Sequence, residues 1–366
     1  MTERWTATAV VAGSRMFMPG TVSVAGGVIE DVRAGAAPGA TDLGDVLLVP
    51  GAIDLHSDAV EKLAEPRPGV RVPFAVAAKA LDRRLAGAGV TTGYAALSLA
   101  GDEIGLRERS ATEALAAALH GLPDPLVDHK LHLRVEMTDA DSVAAAGELL
   151  DAGGVALLSV MNHTPGQGQF TTTDSYLAFY RRNYAVGERE LHDRIGVKLA
   201  AAPHLEARLG RLALAARNGG VPFAWHDPDS AAVIARAGGH GAVIAEFPTT
   251  AEAARAARPA GLAVAMGAPN LLLKRSTSGN LSAVEALAAG ALDLLVSDYY
   301  PEAMWPAVLG CGLPLAEAVA LVTRAPAAAA GLADRGVLAP GRRADLVALH
   351  RDGTVRRTIA AGRVVA

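Results

Sequence analysis

Val49-Pro-Gly-Ala-Ile-Asp-Leu-His56-Ser-Asp58 is the stretch on which the reading of this chain turns. An apolar strand enters through a Pro-Gly pair and ends in His56 and Asp58, two residues apart. In a strand, side chains at i and i+2 share a face, so an imidazole and a carboxylate can converge at the strand's end. That pair suits a metal ion. Alone, His-x-Asp is a weak signal; its position, behind a Pro-Gly entry and ahead of a barrel-sized sequence, gives it weight.

Downstream, apolar strand-like runs alternate with Ala-rich helical stretches. The runs at 52–56, 90–99, 131–137, 155–162, 222–226, 242–247, 262–268 and 292–298 read as eight strands. The intervening segments 76–88, 111–120, 140–152, 204–218, 229–238, 250–258 and 281–290 read as helices. Eight βα units predict an α/β fold, a (β/α)8 TIM-like barrel. Residues 164–200 exceed an ordinary connection and are expected to be a long loop carrying function or a lid. Short alternating runs between Gly-rich turns occupy 5–48 and recur after Gly336. Residues 1–50 and 331–366 are therefore expected to form one small β-sandwich domain from both chain ends, with 51–330 as the barrel.

In such barrels the chemistry sits at the C-terminal ends of the strands. The candidates cluster there: His56 and Asp58; His132, Arg134 and Glu136 on one strand face; Asn162-His163; Trp225-His226-Asp227; Glu246; Pro269-Asn270; and Ser297-Asp298. Each has a plainer alternative. A strand-end His can be a hydrogen-bonded structural group, Asp298 can cap a turn, and Glu136 can pair with Arg134. As a set they read as metal-ligand chemistry: a divalent ion lowers the pKa of bound water and neutralises charge on an oxygen, while a carboxylate on strand eight serves as general base. Lys274-Arg275-Ser-Thr-Ser278-Gly-Asn280 reads as a phosphate cradle or as an ordinary polar loop. Pro165-Gly-Gln167-Gly-Gln adds donors beside His163, and Arg67 and Arg71 add positive charge near strand one.

Composition bounds the alternatives. The 366 residues carry 34 Lys and Arg against 38 Asp and Glu, a net charge of −4, so no basic excess suggests nucleic acid. No apolar run is long enough for a membrane span, and no secretory leader is read at the N-terminus. The single cysteine, Cys311, excludes an intrachain disulfide and fits a reducing cytoplasm. The expected partner is a small phosphorylated substrate; the oligomeric state, homo-oligomer included, is left open.

With these motifs together, the chain resembles the amidohydrolase superfamily, and more narrowly the PhnM family, the α-D-ribose 1-methylphosphonate 5-triphosphate diphosphatases of the carbon–phosphorus lyase pathway. The stretches carrying the resemblance are Ile53-Asp-Leu-His-Ser-Asp58 with Pro66-Arg-Pro68, His132-Leu-Arg-Val-Glu136, Leu158 to Phe170, Ile244 to Thr250, Met266 to Asn270, Ser278-Gly-Asn280, Ser297-Asp-Tyr-Tyr-Pro301 and the closing Gly336 to Leu346. The resemblance implies metal-dependent hydrolysis at the α-phosphorus, giving pyrophosphate and the 5-phosphate. It also implies His56, Asp58, Glu136, His163 and His226 as metal ligands, Asp298 as base or ligand, and zinc or manganese, one or two ions, as the cofactor. Arg134, Gln167, Glu246, Asn270, Lys274, Arg275, Ser278 and Asn280 are the expected substrate contacts. The sequence departs from the family pattern at Ala59, Leu81, Ala95, Val135 and Thr277, where polar groups are usual. That keeps alternatives alive: a divergent amidohydrolase acting on a cyclic amide, an amidine or another phosphorylated compound, or a non-catalytic subunit of phosphonate metabolism.

Overall fold

The computed structural model describes residues 2–67, 69–101, 103, 105–184, 186–276 and 279–366, the Asn183 side chain apart. The chain begins with seven short strands: β1 (Glu3–Ala7), β2 (Ala9–Ala12), β3 (Arg15–Phe17), β4 (Gly20–Ala25), β5 (Val28–Ala34), β6 (Thr41–Asp42) and β7 (Leu47–Pro50). The barrel strands come next as β8 (Ala52–Ser57), β9 (Val90–Leu99), β10 (Asp128–Glu136), β11 (Val155–Met161), β12 (Phe223–His226), β13 (Ile244–Glu246), β14 (Ala263–Gly267) and β15 (Leu294–Val296). The chain closes with β16 (Leu346–Leu349), β17 (Val355–Ala360) and β18 (Arg363–Val364).

β8 to β15 lie side by side in sequence order and every pair is parallel. The sheet closes through a bridge between Ser57 and Asp298. Asp58 N donates to Asp298 O at 2.7 Å, and Asp298 N donates to His56 O at 2.9 Å. The seam that closes the barrel thus runs through the residues read as its chemistry. Asp54 reinforces it, its Oδ1 accepting from Ser297 N at 2.9 Å.

The barrel interior is filled below the site by Ile53, Leu55, Tyr94, Leu157, Ala224, Ile244, Ala265 and Leu294. The outward positions Leu97, Leu133, Val160 and Trp225 pack in the larger core between sheet and helices. This is the alternation that buries a parallel sheet on both faces. Along β8 strict alternation after Ile53 and Leu55 would deliver Ser57 inward; the ladder instead slips between Asp54 and Ser57. Such an irregularity re-aims a side chain, and here it turns His56 into the barrel.

The chain ends form two further sheets, ordered β5-β4-β1-β6 and β18-β17-β16-β7-β2-β3. Trp5, Val22, Ile29, Leu48, Leu346 and Ile359 share one apolar core between them, a sandwich built from both termini.

The described residues of 164–200 are not one long loop. They fold into helices Thr173–Asn183 and Glu188–Ala200, held by a small aromatic core of Phe170, Tyr176, Tyr180 and Leu191. Thr172 opens the first helix with a capping box. Among the described residues no helix is long and apolar enough to cross a membrane.

Candidate active site

A cavity of about 230 Å³ opens at the C-terminal ends of the barrel strands. Its floor is organised by one carboxylate. Glu246, at the end of β13 and 1% exposed, accepts from His56 Nδ1 at 2.9 Å and from His226 Nδ1 at 3.0 Å. Burial alone would favour its protonated form, but the facing His56 charge and the two ring hydrogen bonds hold it well below the carboxylate range. With both Nδ1 atoms protonated, the Nε2 atoms of two stacked rings, 5.5 Å apart, remain to face the cavity. A carboxylate behind a histidine is the usual device for fixing the tautomer of a metal ligand.

His56 Nε2 is buried, has no hydrogen-bond partner among the described residues, and lies 3.3 Å from Asp58 Oδ1. Burial presses this imidazole toward neutrality, yet Glu246 and Asp58 outweigh that and lift it to about 10. His226 is kept neutral, chiefly by burial. Its Nε2 accepts from Arg134 at 3.1 Å, and the same guanidinium donates to Asp58 at 3.0 Å. Asp298 completes the group: burial and then the charge of Asp58 push its carboxyl up to about 7.

A second buried cluster stands beside the first. His163 Nδ1 lies 2.8 Å from Glu103 Oε1 and 3.0 Å from Glu136 Oε2. Lys198, fully buried at 0% exposure, reaches in from helix Glu188–Ala200 to donate to Glu103 at 3.2 Å and to Thr138 at 3.2 Å. Arg107 caps Glu103. Three groups among the described residues bring metal-capable atoms within 4.8 Å of one another: His56, His226 and Glu246; His163, His226 and Asp227; and Glu103, Glu136 and His163. An orphaned, buried His nitrogen 3.3 Å from the Asp58 carboxylate fits a divalent cation that takes mixed nitrogen and oxygen ligands.

Three cavity residues hold left-handed backbone: Asp227 at φ 53°, Phe247 at φ 50° and Asp298 at φ 58°. Asp tolerates this region, whereas a phenylalanine there is strained. Phe247 sits edge-on to both His56 and His226, at 5.0 and 5.4 Å, and walls the pair.

Of the residues singled out from the sequence, His56, Asp58, Arg134, His163, His226, Asn270, Asn280 and Asp298 line the cavity. Asn270 Oδ1 is buried there without a partner among the described residues. Glu136 and Glu246 lie beneath the lining, so Glu246 supports the histidines instead of contacting a substrate directly. Gln167 does not line the cavity; Gln169, on the other side of the turn, does. Lys274 and Arg275 are exposed and also outside the lining, because Lys274 leaves its helix at φ 55° and carries the pair to the rim. Ser278 lies outside the described residues. Asp227, named at the end of its strand beside His226, also lines the cavity, whereas sequence reading missed Glu103, Arg107, Phe179, Tyr180 and Lys198. Those five lie in segments with no strand-end signal.

The amidohydrolase family model matches residues 310–366. An α-D-ribose 1-methylphosphonate 5-triphosphate diphosphatase of Escherichia coli (strain K12) is 36% identical, over 83% of this chain and 83% of its own. Among solved structures, an N-acetyl-D-glucosamine-6-phosphate deacetylase from Mycobacterium smegmatis superposes with a TM-score of 0.66 at 20% identity, covering 100% of both chains. A dihydropyrimidinase from Brevibacillus agri superposes at 0.64 and 15% identity, over 100% of this chain and 95% of its own. These two likenesses are to the fold.

Proposed function

This chain belongs to the family of α-D-ribose 1-methylphosphonate 5-triphosphate diphosphatases within the amidohydrolases, and from that premise we propose the reaction, substrate and residue roles of its site. The substrate is α-D-ribose 1-methylphosphonate 5-triphosphate. Water attacks the α-phosphorus, the bond from that phosphorus to the α–β bridging oxygen breaks, and pyrophosphate leaves with that oxygen. The 5-phosphate remains, and the proton from water passes to Asp298.

The observation that carries this reading is Glu246 holding Nδ1 of both His56 and His226, which leaves His56 Nε2 beside Asp58 and His226 Nε2 beside Arg134 and Asp227 in a cavity that Asp298 also lines. His56, Asp58, His163 and His226 would hold a divalent cation, zinc or manganese and one or two ions, with Glu136 behind His163 and Asp298 as ligand or base. Bound there, the cation supplies a water of lowered pKa and neutralises charge on phosphoryl oxygens. Arg134, at 3.0 Å from Asp58, is placed to pair with the triphosphate once a cation takes over that carboxylate. Asn270 and Asn280 offer neutral hydrogen bonds on the opposite wall. We also propose that residues 51–330 carry the chemistry, with 1–50 and 331–366 as its sandwich support. A cytoplasmic site of action goes with a charged, intracellularly made triphosphate.

Phosphorus NMR of the metal-replete enzyme with this substrate tests the reading. Appearance of pyrophosphate and the 5-phosphate is the expected result. An unchanged spectrum from folded, metal-loaded enzyme would overturn it and favour the second reading, a cyclic-amide or amidine hydrolase, to which the exposed positions of Lys274 and Arg275 are indifferent.

A further inference from the structure

The reaction cavity, at about 230 Å³, is small for a whole sugar triphosphate, since small-molecule sites run from roughly 300 to 1,000 Å³. A second cavity of about 530 Å³ adjoins it, and Phe179 walls both. The two are also joined along the chain. Asp58, Arg107 and Asp298 line the first; Glu61, Leu106 and Tyr299 line the second, one helical turn or one residue away. We propose that this side cavity is the subsite for the sugar and its anomeric phosphonate, the part of the substrate that does not react. The assignment rests on the diphosphatase reading and names how that substrate is distinguished from other 5-triphosphates.

Three features argue for a polyhydroxylated ring bearing an anion. Phe179, Tyr184 and Tyr299 give the cavity aromatic walls, on which the apolar face of a sugar can lie. Glu61 lines the same space. Its Oε1 is buried and has no hydrogen-bond partner among the described residues, a costly state that a ligand hydroxyl would relieve. Lys62 and Arg67 stand at the exposed mouth, and no ion-pair partner is found for either among the described residues. The neighbouring acid, Glu65, is already committed to Arg71 at 3.3 Å and to Gly69 N at 2.8 Å. Its charge is therefore spoken for, and the two cations remain for an anionic group from outside.

The test compares α-D-ribose 1-methylphosphonate 5-triphosphate with ribose 5-triphosphate, which lacks the phosphonate, in metal-replete wild type and in the double variant Lys62→Ala, Arg67→Ala. The expected result is a loss of kcat/KM for the full substrate about tenfold greater than for the truncated one, carried by KM. Equal losses on both substrates, or none, would overturn the assignment. Calorimetric titration with α-D-ribose 1-methylphosphonate, which has no 5-phosphates, reads the subsite without turnover. Wild type should bind it, and Glu61→Gln and Arg67→Ala should each weaken binding about tenfold. No binding to folded, metal-loaded wild type, or binding indifferent to both substitutions, also overturns the assignment. Binding that both variants weaken, in an enzyme that releases no pyrophosphate, would keep the subsite and discard the diphosphatase reading.

Discussion

Glu246 lies beneath the lining of the reaction cavity, yet two histidines of that lining depend on it. Glu246→Gln keeps the shape but can accept through only one oxygen, so one ring loses its fixed tautomer. Metal affinity should fall roughly 10- to 100-fold, measured as metal retained after dialysis against graded chelator; full retention would show that the histidines are not ligands. Asp298→Asn differs in kind. It removes the proton acceptor but keeps the backbone bonds to Asp58 and His56. Turnover should fall by about 10² to 10⁴ with an unchanged far-ultraviolet spectrum, and near-wild-type turnover would remove Asp298 from the base role.

At the scale of elements, the sequence and the structure part company in an informative place. All eight barrel strands fall on the apolar runs read from the sequence, because burial on both faces leaves a clear pattern in strands such as Val90–Leu99. The two helices within 164–200 leave no such pattern. Their buried core mixes Phe170, Tyr176 and Tyr180 with Leu177, Leu191 and Ile195 as aliphatics, and their anchor is Lys198, a residue that pattern reading counts as solvent-facing. The inward turn of His56 was likewise invisible, since a slipped ladder adds no residue type. Lys198→Met should leave Glu103 and Glu136 as buried carboxylates short of a partner, at a cost of about 3–5 kcal/mol. The expected outcome is a lower melting point and early proteolytic cutting within 164–200. A melting point within a degree of wild type would show that the helices are held by their aromatics alone.

For the whole molecule, the metal-free state carries an electrostatic signature. His56 and His163 are raised to about 10 and 9, and Asp54 and Asp298 to about 6 and 7. A raised group stabilises the fold fully below its unfolded pKa and loses that contribution as pH climbs through its folded pKa. All four act in one direction, but Asp54 and Asp298 have lost their contributions by about pH 6 and 7, so the fall of the metal-free melting temperature from near pH 6.5 to pH 10 rests on His56 and His163. Glu103, Glu136 and Glu246 are lowered, so their contribution is present above the ordinary glutamate range and disappears as acid protonates them. A divalent ion should flatten the alkaline decline, because His56 bound to it has already given up its proton; proton release on loading near neutral pH, read by calorimetry in buffers of different ionisation enthalpy, checks the same point. A melting temperature level across the alkaline range would contradict these assignments.

The barrel seam has a consequence in time. Asp298 meets His56 and Asp58 across some 240 residues of chain, Asp54 bonding Ser297 at a separation of 243. A chain emerging from the ribosome exposes His56 early and must wait for Asp298 before the two can meet. Until then there is no closed sheet and no paired acid, so a half-made chain cannot consume substrate. Synthesis acts as the enzyme's own timer, and a chain broken off before Asp298 ends without an active centre.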